Sequence, residues 1–137
     1  MFDHMQELLD HTAADLLSGR TDAIAGRCAY PMVVHSPQQI VPFRTPADYA
    51  ATLAQVSGRL RHREVTAITA RLRAADAPSR GRFRAFVRLT FRFGNGTPPS
   101  ETDLICFCRM VDSAIQVEMI ELDCSLMPAA PTSRQPA

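Results

Sequence analysis

At 137 residues, with 46% hydrophobic side chains and a formal net charge of +1, the chain has the size of one domain with a substantial core. The near balance of charge excludes electrostatic capture by nucleic acid or by a membrane surface as its main role. No apolar run approaches the roughly 20 residues of a membrane span, and the acidic start Met1–Glu7 lacks the positive charge of a signal peptide, so a cytoplasmic protein is expected.

From Phe2 to Ser18 apolar residues recur at Met5, Leu8, Leu9, Thr12, Ala13, Leu16 and Leu17, the one-sided spacing of an amphipathic helix. Gly19 supplies a left-handed stop. Thr21 caps a second helix expected to reach about Ala29, with Asp22 favourable in its first turn, and Pro31 ends it. Met32-Val33-Val34-His35 reads as a short strand closed by Ser36-Pro37. A third helix begins after the cap Thr45, with Pro46 at its first position and Asp48 placed as in a capping box; Gly58 is its expected stop. The remainder alternates. Glu64–Ala75 is one strand and Arg82–Phe93 the clearest, with Phe83, Ala85, Val87, Leu89, Phe91 and Phe93 on one face and mostly arginine on the other. Thr102–Val111 and Ile115–Cys124 form a final hairpin about Asp112-Ser113. Residues 1–127 are expected as one domain, and the Pro- and Ala-rich tail 128–137 as disordered. Helices first and long antiparallel strands after them imply an α+β fold.

Four cysteines occur. Cys106 and Cys108 share a strand face, but no second close Cys or His pair completes a tetrahedral metal site. Cytosolic apolar thiols are the simpler reading, and neither metal nor cofactor is expected. All 15 basic residues are arginine, which fits the base bias of a bacterial genome.

The stretch Leu17-Ser18-Gly19-Arg20-Thr21-Asp22-Ala23-Ile24 resembles the "G-D-x-x-A-I" junction of the nuclear transport factor 2-like, or SnoaL-like, superfamily. Met32–Pro37 follows at that family's usual interval, and Val111-Asp112-Ser113-Ala114-Ile115 is similar to its "D-G-x-I" hairpin. The resemblance covers roughly residues 2–125. It implies a cystatin-like cone, a curved antiparallel sheet packed around the N-terminal helices with a pocket inside. In steroid delta-isomerase the cone holds a general base, a tyrosine and a carboxylic acid. The corresponding positions here are Ser36, Thr12 and Cys106, which are poor substitutes. The isomerase chemistry is therefore not expected.

The same alignment implies a mainly apolar lining, with Thr12, Leu16, Tyr30, Ser36, Tyr49 and Leu53 from the helical side and the first strand. Val87, Leu89, Phe91, Leu104, Cys106, Cys108 and Ile120 complete it from the long strands. Such a lining suits a small hydrophobic ligand; it equally suits a cavity filled by its own side chains. His35 lies beside the family's base position and titrates in the useful range, yet strand alternation turns it away if Ser36 points in. Glu118 shares the inward parity and would be a buried acid, unless a register slip or an arginine partner turns it out. The arginine-rich strand faces suggest an anion or nucleic-acid surface; without interleaved aromatics, a solvated face is the plainer account, and no nucleic-acid partner is expected. On the outward parity Phe86, Ile105, Phe107, Val111, Val117 and Met119 form an apolar sheet face that a two-fold homodimer would cover. Family members commonly pair through this surface. Three readings remain open: a binder of a small hydrophobic molecule, an isomerase-, dehydratase- or cyclase-type enzyme using His35 and Glu118, and a dimeric interaction module.

Overall fold

The computed structural model describes residues 2–124; the tail expected at 128–137 lies outside them. α1 (Phe2–Ser18) buries Met5, Leu9 and Ala13, the stripe read from the sequence, and Gly19 turns the chain at φ +82°. α2 (Thr21–Ala25) is shorter than expected; Arg20, not Thr21, holds its cap position, and Gly26 follows its end. The chain then enters β1 (Cys28–His35), four residues before the expected start. Pro31, read as a helix stop, lies inside this strand. It falls in the break of the β1 ladder between Cys28 and Val33, where its missing N–H removes no bond.

β2 (Ile40–Phe43) was not expected and pairs antiparallel with β1. In α3 (Pro46–His62) the Thr45 hydroxyl accepts from the Asp48 N–H at 3.2 Å, the capping geometry foreseen. The helix runs through Gly58 rather than stopping there. A side chain at that glycine would meet nothing, so its smallness answers to no packing need, and the turn comes later at Glu64 with φ 61°. β3 (Val65–Ala75), β4 (Arg82–Phe93), β5 (Ser100–Val111) and β6 (Ala114–Leu122) complete the sheet. Asp112 and Ser113 both have positive φ, 50° and 69°, which is the mirror-image turn that matches the twist of a tight hairpin.

The strand order is β2-β1-β6-β5-β4-β3. All neighbours are antiparallel except β1 and β6, which run parallel, so the sheet is mixed rather than wholly antiparallel. The architecture is α+β, a curved, unclosed sheet with helices on its inner face. Val34, Phe83, Ala85, Val87, Leu89 and Phe91 are buried against that helical layer.

One irregularity governs the last strand. Phe107 pairs with Met119 but Cys108 with Val117, so Glu118 is the extra residue of a bulge. Val117 is buried opposite Cys108, while Met119 stands with Phe107 on the other face. This single shift corrects one expectation, since Val117 belongs to the core and not to the outer apolar face, and it realises the alternative raised for Glu118, which a register shift and an arginine partner turn from the cone. Its carboxylate meets Arg82 Nε at 3.0 Å, with the arginine side chain 63% exposed.

Candidate functional site

Between the helices and the sheet lies a largely enclosed cavity of about 110 Å³. One turn-spaced row of α1, Leu9, Thr12, Ala13 and Leu16, forms its roof with Ile24 of α2 and with Tyr49, Leu53 and Val56 of α3. The sheet supplies Val34 from β1, Ile68 and Ala70 from β3, and Val87 and Leu89 from β4. Leu104 and Cys106 of β5 and Ile120 and Leu122 of β6 close the wall. Alternation places these residues together: each is an inward member of its strand.

Of the residues expected to line it, Thr12, Leu16, Tyr49, Leu53, Val87, Leu89, Leu104, Cys106 and Ile120 do so. Tyr30, Ser36, Phe91 and Cys108 do not. Tyr30 reaches away to donate its hydroxyl to the Ala25 carbonyl at 2.7 Å. Ser36 lies beyond the strand, where its N–H and hydroxyl both meet the Gln39 carbonyl. Phe91 is buried near Leu60 and Val65 at one end of the sheet. Cys108 is buried beside the β6 bulge. His35 alternates with the inward Val34 and pairs across the ladders with Ile40 and Glu121, so it sits on the outer face. His35 and Glu118 are brought neither together nor into the cavity.

Three cavity residues carry polar atoms. Tyr49 is 4% exposed, stacks at a tilt on Phe43 with ring centres 4.9 Å apart, and its hydroxyl has no hydrogen-bond partner among the described residues. Burial pushes its phenol well above the ordinary range. Burial likewise raises the Cys106 thiol, and the thiols of Cys28 and Cys108 are each pushed up to about 12. All three cysteines are therefore protonated and unreactive at neutral pH. The Thr12 hydroxyl accepts from Arg27 Nη1 at 3.2 Å, which leaves its own proton available to donate.

Arg27 leads to a group that the sequence reading missed. Asp15 is 5% exposed and pairs with Arg20 at 2.9 Å and Arg27 at 2.5 Å. The hydrogen bond from Arg27 holds its carboxyl below the usual range against the opposing effect of burial. The signal was available: Asp15 stands seven residues after Leu8, on the apolar side of the helix, with two arginines shortly downstream. Among the described residues no three His, Cys, Asp or Glu side chains gather as a metal site.

Among solved structures, the chain is similar to a domain of unknown function with a cystatin-like fold from Nostoc punctiforme PCC 73102. The TM-score is 0.71 at 10% identity, over 87% of this chain and 74% of that one. An NTF2-like protein with a cystatin-like fold from Novosphingobium aromaticivorans gives 0.70 at 14% identity, over 90% and 80%. The chain has the nuclear transport factor 2-like fold. An NTF2-like protein of unknown function from Shewanella oneidensis MR-1 follows the same path, with TM-score 0.68, 12% identity, and coverage of 89% and 98%. Likeness at such identities is one of architecture, and a site must be argued from its own residues. No family model matches the chain, and no curated protein matches it. Within this NTF2-like cone the inner wall offers a phenol, a hydroxyl and a thiol, with no carboxylate or imidazole.

Proposed function

We propose that this domain binds a small, mainly apolar molecule in the cone and performs no proton chemistry on it. The observation that carries this reading is the 110 Å³ cavity whose wall is hydrocarbon apart from Thr12, Tyr49 and Cys106. A dry apolar cavity of roughly 150 Å³ holds benzene, whereas drug-sized ligands occupy about 300–1,000 Å³. At about 110 Å³ the hollow is smaller than either, so the ligand is a short chain, or a single ring for which the wall side chains shift slightly, with any polar substituent directed to the Tyr49 hydroxyl. What argues against proton abstraction is the lining itself, which holds no carboxylate or imidazole to act as a base.

The test is a thermal-shift series with benzene, toluene, phenol and cyclohexanone at millimolar concentration. At least one should raise Tm by several degrees, and Leu53→Phe, which fills the hollow, should abolish that rise. If no compound acts while Leu53→Phe simply raises Tm, the hollow is a packing gap and the reading fails.

A second reading concerns the outer sheet face. Phe107, Met119, Val33 and Pro42 are successive partners across β5, β6, β1 and β2, and Ile105 and Phe86 pair in the adjoining row. We propose that a second copy of the chain covers this apolar band. Arg82–Glu118 and Arg84–Asp76 ion pairs lie on the same face beside the aromatic residues, as the polar rim of an interface would.

A further inference from the structure

We infer that the outer face of β3, β4 and β5 holds a second binding site, independent of the cavity, for a phosphate-bearing small molecule. A groove of about 450 Å³ is lined there by Thr69, Arg71, Arg73, Arg88, Thr90 and Arg92, with Glu101 in its wall. Four guanidinium groups thus gather beside Glu101 and, through Arg88, Asp103, in a chain whose net charge is only +1. The groove therefore carries a local excess of positive charge.

The register leaves part of this charge unmet. Arg71 is directly opposite Arg88, and Thr69 directly opposite Thr90. Like charges in such pairs, with Cβ atoms about 5 Å apart, destabilise a sheet. Carboxylates meet part of this charge: Arg88 has Asp103 at 2.9 Å and Glu101 at 3.9 Å, and farther along the face Arg82 has Glu118 and Arg84 has Asp76. Arg71 and Arg92 have no ion pair among the described residues.

The lining also selects the chemistry of the guest. Guanidinium forks match the several acceptor oxygens of a phosphate bidentately, and the paired threonine hydroxyls add neutral donors at the floor. No aromatic ring lines the groove, so bases have nothing to stack on, which disfavours single-stranded nucleic acid. The groove is short and spans three strands, a shape for a compact ester and not for a long polymer.

The experiment is a titration of isotopically labelled protein at low ionic strength with glycerol phosphate and with inorganic phosphate, against sodium chloride of matched ionic strength. Saturable shifts of the Thr69, Arg71 and Thr90 amides are expected, at millimolar or lower concentration, with the ester binding at least as tightly as inorganic phosphate. Arg71→Ala and Arg92→Ala should each weaken binding about tenfold or more, and Arg109→Ala, which lies outside the groove, should leave it unchanged. Equal shifts with chloride, or no saturation with either phosphate, would overturn the site. It is also overturned if Arg71→Ala leaves phosphate binding intact and instead halves the mass in solution, for the groove then serves a second copy.

Discussion

Asp15 illustrates how one side chain can fix the geometry around a cavity without entering it. Its carboxylate ties Arg27, which in turn donates to Thr12 on the cavity wall, and Arg20 at the α1–α2 junction. Hydrogen bonds to charged groups are worth about 1.5–3 kcal/mol when part-buried, so Asp15→Asn should lower the unfolding free energy by that amount at pH 7, measured by urea titration. The pH dependence has a definite sign. The folded carboxyl titrates below its ordinary 3.8, so its contribution is complete above the unfolded value and lost as pH falls through the folded one. The urea midpoints of the two proteins should therefore converge below about pH 4; a gap that persisted into acid would remove the charge from the explanation. At this scale the sequence was readable where alternation was regular, as for Val87, Leu89 and Leu104. It was not readable where a side chain bends back on its own backbone, as Tyr30 and Ser36 do, because that depends on atoms supplied by a neighbouring turn.

Elements behave less independently than their patterns suggest. β3 is an edge strand, and its free backbone groups invite pairing with another chain. α1 closes that edge: Gln6 donates its amide to the Ala70 carbonyl and accepts from the Leu72 N–H, both at 2.8 Å, as a partner strand would. Gln6→Ala should cost about 1–2 kcal/mol and speed amide hydrogen exchange at Leu72 above that of its neighbours. Unchanged exchange there would show that the clamp is dispensable. The span of α1, the Thr45 cap of α3 and β4 were legible because caps, glycines and strict alternation are local signals, whereas α2 stops early at Ala25 and α3 runs past Gly58. The β6 bulge was not. Nothing local distinguishes Val117-Glu118-Met119 from a regular strand, and the insertion is visible only in the pairing with Phe107 and Cys108. One extra residue moved an acid outward and a valine inward, so Glu118 does not stand on the cavity wall.

For the molecule as a whole, the order of helices and strands announced an α+β fold and the family resemblance implied a cone, but the parallel contact of β1 with β6 joins segments some eighty residues apart and has no turn to signal it. That contact is what brings Val33 beside Met119 and extends the outer apolar band from Phe86 and Phe107 to Pro42. Ile40 at its margin is 61% exposed, and a patch of this kind is a liability in an isolated chain. Two flanking pairs are already neutral, Arg82 with Glu118 and Arg84 with Asp76, whereas Glu121, the ladder partner of Ile105 and His35, has no ion pair among the described residues and needs a cation of the copy when the face closes. Arg71 and Arg92 lie apart, in the β3–β4 groove. Wild-type protein at micromolar concentration should therefore scatter light as a dimer. Phe107→Glu places a carboxylate in the centre of the band and should weaken association at least a hundredfold, while leaving the ligand-induced rise in Tm untouched, since residue 107 faces away from the cavity. A wild-type monomer would dismiss the dimer, and loss of the thermal response in a folded Phe107→Glu variant would show that the two faces of the sheet are coupled.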